Sequence, residues 1–223
     1  MTTNSIFEII GPVMVGPSSS HTLGAVRLGS FCRQFGGAAC EKVRITLYGS
    51  FAHTYKGHGT DKALIGGLLG IRADDEALRD AFFLAKEAGL NYELAVDESD
   101  EYTGNIVRFD LFMKGGETHA IMGESIGGGR INIFKLDGMR VDISGEYASL
   151  ITIHRDVVGM VAKITTLLSD YRINIAFLKL FREDRFQTAI LVAQTDDTIP
   201  EAVLDELKEN RDIEKAILIH PVV

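Results

Sequence analysis

Residues 149–220 read SLITIHRDVVGMVAKITTLLSDYRINIAFLKLFREDRFQTAILVAQTDDTIPEAVLDELKENRDIEKAILIH, and this stretch decides the fold class. Ser149 to His154 is expected as a strand, Val158 to Asp170 as a helix, and Asn174 to Glu183 as a second strand. Phe186 to Gln194 follows as its hairpin partner, then Pro200 to Asn210 as a helix and Ile213 to His220 as a last strand. Pro200 suits a helix start, where its missing N–H has no intrahelical partner to lose. The order is βαββαβ, the split ferredoxin-like unit. Its two helices can cover one face of a four-stranded sheet, which leaves the other face and an edge strand for a partner. A homodimer, through this domain or the preceding one, is the physical expectation.

Upstream, Ser144-Gly145-Glu146 reads as a short joint, which divides the chain into domains 1–145 and 146–223. The first is expected to be α/β. Val43, Ile45 and Leu47 alternate with Arg44, Thr46 and Tyr48, the period-two pattern of a half-buried strand. Further strands are expected at Tyr92 to Val96, Asn105 to Lys114, Glu117 to Ser125, Ile131 to Phe134 and Met139 to Ile143. Leu23, Val26, Phe31 and Phe35 recur near helical spacing, and Gly36-Gly37 supplies a stop. Asp74 opens a second amphipathic helix through Ala77, Leu78, Ala81, Phe82 and Ala85, which Gly89 ends. Gly49 to Thr60 reads as a polar loop before the glycine-rich apolar segment from Asp61 to Leu69.

A length of 223 residues accommodates two domains of roughly 100 to 150 residues. Hydrophobic content of 46% supplies apolar surface enough to offset chain entropy. A net charge of −8 argues against nucleic acid, because that affinity comes from Lys and Arg displacing counterions. No stretch approaches the ~20 apolar residues of a membrane helix, and Met1 to Ile10 lacks a secretory signature, so a cytoplasmic protein is expected. Cys32 and Cys40 are too few for a disulfide framework, a zinc site or an iron–sulfur cluster. Cys32 lies in an apolar helical stretch and reads as a small core residue.

Three segments carry candidate chemistry. After Gly16-Pro17 come Ser18, Ser19, Ser20, His21 and Thr22, at a helix start. Unpaired N–H groups, the helix dipole and four hydroxyls suit a carboxylate or phosphate there. A serine-rich N-cap is the plain alternative, but a cap needs one hydroxyl. The second segment holds His53, His58, Thr60 and Asp61, with glycines on both sides of His58 that free the backbone to approach a ligand. Imidazoles have the pKa range for acid–base work, although a loop histidine is often only a surface residue. The third, Gly127-Gly128-Gly129-Arg130, is either an anion cradle of backbone amides or a tight turn. In the second domain Gly159 and Asn174 are candidates for a ligand site or interface, a core-packing turn being the alternative.

GPSSSHT at 16–22, GHGTD at 57–61 and GGGRI at 127–131, in that order, resemble the β chain of two-subunit, iron–sulfur-dependent L-serine dehydratases. The C-terminal segment resembles an ACT domain. The first domain is also similar in kind to the allosteric substrate-binding (ASB) domain of some phosphoglycerate dehydrogenases. The resemblance implies deamination of L-serine to pyruvate and ammonia through loss of water. It further implies a [4Fe–4S] cluster held by an α subunit, not by this chain, with one iron acting as Lewis acid on the substrate hydroxyl. The cysteine count agrees that a partner must supply the cluster.

Expelling hydroxide without a pyridoxal sink requires an activated leaving group and removal of a weakly acidic Cα proton. On that basis the substrate carboxylate is expected against Ser18, Ser19, Ser20 and Thr22, with Thr60, Gly128, Gly129 and Arg130 adding to the site. His21 or His58 is expected as the base or its orienting partner, with His53 third and Asp61 orienting a histidine. Two other readings stand beside this one: a noncatalytic amino-acid-sensing subunit, and a dehydratase of another small β-hydroxy amino acid.

Overall fold

The alternation of Val43, Ile45 and Leu47 is realised in β1 (Cys40–Tyr48), where all three are buried and Arg44 is exposed. The structure, a computed structural model, describes residues 14–99, 101–182 and 187–222. β1 joins β2 (Tyr92–Val96), β3 (Asn105–Met113), β4 (Thr118–Gly127), β5 (Arg130–Leu136) and β6 (Met139–Ile143) in a sheet of order β2-β1-β3-β4-β5-β6. β1 and β2 are parallel, whereas β1–β3, β3–β4 and β4–β5 are antiparallel. A parallel pair needs a crossover, and the residues between β1 and β2 supply it with helices.

The amphipathic stretch after Thr22 forms α1 (Gly24–Gly36), which buries Val26, Leu28, Phe31, Cys32 and Phe35. Cys32 is the core residue expected, and burial followed by the nearby Cys40 pushes its thiol well up from the ordinary range. The loop expected at Gly49 to Thr60 is instead α2 (Gly49–His58), running into α3 (Thr60–Leu69). Gly59, at φ 69° and ψ 25°, is the left-handed residue between the two helices. The glycines thus mark a helix–helix joint, and Phe51 and Ala52 anchor a helix that is otherwise polar. The helix expected from Asp74 begins later, with Asp75 accepting from the Ala77 N–H. A 3₁₀ turn (Glu76–Asp80) then leads into α4 (Ala81–Glu87), on which Phe82 is exposed rather than inward-facing.

α1 and α3 cross backbone to backbone. A Cβ on Gly29 would stand 2.3 Å from the Leu64 carbonyl oxygen, and one on Gly67 would stand 2.1 Å from that of Val26. Farther along, the Arg33 guanidinium lies against Gly70. Gly29 with Gly67 and Arg33 with Gly70 is a parallel register, so the two helices start side by side.

Backbone contacts divide the chain into Met1–Gly138 and Met139–Val223, a division upstream of Ser144-Gly145-Glu146. The βαββαβ order holds in the second unit: β7 (Ala148–Arg155), α5 (Met160–Asp170), β8 (Ile175–Arg182), β9 (Thr188–Thr195), α6 (Glu201–Lys208) and β10 (Ile213–Ile219). The sheet is antiparallel in the order β10-β7-β9-β8, and Leu150, Ile164, Leu168, Leu191 and Val203 form its core under the helices. The mixed α/β and ferredoxin-like classes are both present. β8 is an edge strand and leaves Phe177, Leu178 and Leu180 exposed. The strand ends placed at Glu183 and Phe186, and the segment Met1 to Ile10, lie outside the described residues.

Gly67→Ala drives a methyl into the Val26 carbonyl and should cost about 1–3 kcal/mol or more. Gly57→Ala meets nothing within 4 Å on α2 and should be neutral or stabilising by up to ~1 kcal/mol. Urea unfolding of the two variants checks the contrast.

Candidate active site

Because α1 and α3 start together, Thr22 at the end of the serine tract and the His58–Gly59 joint line one cleft. Ser18 is the N-cap, with extended backbone (φ −146°), and its Oγ accepts from the His21 N–H at 3.3 Å. Ser19–Leu23 then form a single π-helical turn that leads into α1. The cleft has a volume of about 650 Å³, and its lining includes Gly16, Thr22, Lys56, His58, Gly59 and Asp61.

His21 and His58 stack, with ring centroids 4.5 Å apart and planes tilted by 37°. Phe51 meets the His21 ring edge-on at 5.3 Å. His21 is contacted at both nitrogens: Nδ1 lies 3.3 Å from Ser18 Oγ, and Nε2 lies 2.9 Å from Thr54 Oγ1 and 3.5 Å from Ser50 Oγ. Burial, then the adjacent His58, lowers the His21 pKa from its ordinary value of 6.5, so the ring is held neutral near pH 7.

Several buried polar atoms around the two helix starts have no protein partner: Thr22 Oγ1, Thr60 Oγ1, His58 Nδ1 and Ser125 Oγ. Buried polar groups are nearly always satisfied, so a cluster of exceptions marks a place built for a polar ligand or ordered water. Ser125, on β4, packs against Gly24 at the start of α1, and its carbonyl accepts from Asn105 Nδ2 at 3.3 Å.

The expected residues therefore separate into groups. Ser18, Ser19, Ser20, His21, Thr22, His58 and Thr60 come together at the paired helix starts. Asp61 lies on the rim of the cleft and accepts from the Lys62 N–H, whereas His21 is oriented by hydroxyls. His53 is exposed on α2. Gly127-Gly128-Gly129-Arg130 forms the β4–β5 turn, with Gly127 paired to Arg130. Gly129 packs against Leu23 and accepts from Arg27 Nη1 at 2.7 Å, while Arg130 is exposed. Gly159 caps α5 in the second unit, and Asn174 Nδ2 donates to Asp196. Ser50, Thr54 and Arg27 escape the sequence reading. Ser50, Thr54 and His58 are spaced i, i+4, i+8, a single helical face, but that signal exists only once the segment is known to be a helix.

Residues 5–105 match the family model for the serine dehydratase beta chain, and residues 148–212 match that for the ACT domain. A probable L-serine dehydratase beta chain of Bacillus subtilis is 39% identical over 209 residues, which is 94% of each chain. The chain belongs to the L-serine dehydratase beta-chain family. The L-serine dehydratase beta chain of Peptoniphilus asaccharolyticus is 37% identical over 204 residues, 91% of this chain and 92% of that one. A D-3-phosphoglycerate dehydrogenase of a Synechocystis species is 28% identical over 205 residues, 87% of this chain but 35% of that enzyme. In this beta-chain family member no helix among the described residues is long and apolar enough to cross a membrane.

A lowered His21 pKa has a definite sign. The unfolded chain takes up the proton more readily, so the contribution of His21 to stability is fully present above pH 6.5 and is lost as pH falls from there through its lower folded-state pKa. An NMR titration of the ring should show a midpoint under 6.5 that moves part of the way back in His58→Gln, burial being the larger cause. A midpoint at or above 6.5 contradicts this account.

Proposed function

We propose that this chain is the β subunit of a cytoplasmic, iron–sulfur-dependent L-serine dehydratase, which deaminates L-serine to pyruvate and ammonia together with an α subunit. The observation that carries the reading is the pair of stacked imidazoles, His21 in the turn that opens α1 and His58 at the joint between α2 and α3. Cys32 and Cys40 are both free thiols, as a reducing compartment keeps them. Cys32 is buried in α1, and among the described residues no three His, Cys, Asp or Glu side chains could share a metal ion. These residues do not fit a [4Fe–4S] cluster, which belongs on this reading to the α subunit. This chain's share of the reaction is then binding and proton transfer.

The serine carboxylate binds against the first-turn N–H groups and the hydroxyls of Ser18, Ser19, Ser20, Thr22 and Thr60. The positive ends of two helices attract it. Gly129 backs this site through Leu23 and Arg27, and Gly128 and the exposed Arg130 complete the same turn. His21, neutral at working pH, takes the Cα proton, and His58 is positioned to share or pass it on. Asp61 lines the cleft, and His53 stands on the exposed face of α2. In the ACT domain, Gly159 and Asn174 mark the ligand or interface region, and the exposed β8 edge joins two copies into a homodimer. Leu180→Lys on that edge should shift the light-scattering mass toward the monomer.

The decisive experiment is anaerobic turnover of serine by this chain alone, by its cluster-bearing partner alone, and by the two mixed. Activity is expected only in the mixture. His21→Asn should lower it by about 10²- to 10⁴-fold, the usual worth of a positioned acid–base group, with the circular dichroism spectrum unchanged. A partner fully active alone, and modulated by this chain only when an amino acid is added, would make the chain a regulatory subunit and remove His21 from the chemistry.

A further inference from the structure

Thr54 lies on α2, one turn after Ser50, and makes two close contacts that together constrain the His21 proton. Its Oγ1 is 2.7 Å from the Ser50 carbonyl oxygen and 2.9 Å from His21 Nε2. A threonine hydroxyl has a single hydrogen. If that hydrogen pointed at Nε2, the two oxygens of Thr54 and Ser50 would face each other at 2.7 Å with nothing between them. Placed toward the carbonyl, which accepts only, it makes an ordinary helix back-bond. Thr54 Oγ1 then offers a lone pair to the imidazole, so Nε2 must carry the hydrogen. Ser50 Oγ, 3.5 Å from the same nitrogen, is a more distant contact on that side.

The contact on the other side of the ring is compatible with that tautomer. Ser18 Oγ accepts from the His21 backbone N–H at 3.3 Å and stands 3.3 Å from Nδ1. With Nε2 carrying the hydrogen, Nδ1 is the bare nitrogen, and the Ser18 hydroxyl hydrogen can point to it. One arrangement puts a hydrogen between every close pair: Ser18 O–H to Nδ1, Nε2–H to Thr54 Oγ1, and Thr54 O–H to the Ser50 carbonyl.

We propose that Thr54 is a positioning residue that locks His21 in the Nε2–H tautomer, so that Nδ1, on the Ser18 side, is the atom that accepts a proton. The proposal rests on the serine dehydratase reading for its consequence, though not for its geometry. In the reaction Nδ1 takes the proton, directly from the substrate Cα or by way of the Ser18 hydroxyl, and the ring becomes imidazolium. Nε2 keeps its hydrogen throughout, still donating to Thr54. The contact is pre-set because Thr54 is fixed by its own helix, so the ring does not have to reorient between turnovers.

The test is long-range ¹H–¹⁵N NMR of the full-length, histidine-labelled chain at neutral pH, together with turnover of the assembled enzyme. The unsubstituted chain should show His21 as a single Nε2–H tautomer. Thr54→Val, similar in shape but without the hydroxyl, should give mixed tautomers and a kcat lower by about 10- to 100-fold, with KM little changed. Thr54→Ser should restore both, which separates loss of the hydroxyl from loss of the fold. An Nδ1–H ring in the unsubstituted chain overturns the proposal whatever the turnover, as does a Thr54→Val variant with tautomer and kcat intact. A Thr54-dependent tautomer in an assembly that leaves serine untouched upholds the tautomer assignment and overturns the serine reading alone.

Discussion

The first unit depends on the contact of two helix backbones at Gly29 and Gly67. With no side chain at either position, α1 and α3 approach until carbonyl oxygens stand where a Cβ would otherwise be. Larger residues there would hold the axes farther apart. The crossing does more than fill the core. Its parallel register brings two helix starts to the same end, so their unpaired N–H groups and dipoles add where a single helix would offer half the field. The polar tract at Ser18 to Thr22 and the joint at Gly59 then need no further device to face each other.

That dependence explains what could be read from the sequence and what could not. The strands of both sheets were legible because one or both faces are buried, which imposes alternation or a short apolar run: Val43, Ile45 and Leu47 show the first, and Ser149 to His154 the second. The βαββαβ order followed from element order alone. α2 was not legible, since its buried side is little more than Phe51 and Ala52 and its end carries Lys56, Gly57 and His58. A helix held by so few apolar contacts has the composition of a loop. Misreading it hid Ser50 and Thr54, although His58 was found.

The site shows the same split between local and nonlocal signals. Ser18 to Thr22 announced itself because surplus hydroxyls at a helix start are unusual within a short window. Arg27 did not, because its bond to the Gly129 carbonyl spans 102 residues of chain. The glycine turn could be flagged only as a turn or an anion cradle. Its observed task is to pack on Leu23 and accept from Arg27, which braces the start of α1 from the sheet side. Thr60 and Ser125, fully buried with unpartnered hydroxyls, became conspicuous only once burial was known.

The two helix starts also bear on how a base can wait beside a carboxylate site. Their positive ends favour an anion, while burial and His58 lower the His21 pKa beside it. An anion-favouring end thus adjoins an imidazole that burial and His58 keep neutral and able to accept a proton. On the dehydratase reading, a bound carboxylate offsets part of the field of those ends. The imidazolium formed by proton transfer is then less costly with substrate present than without it. Basicity rises in the liganded site, and an empty site leaves the proton in solution.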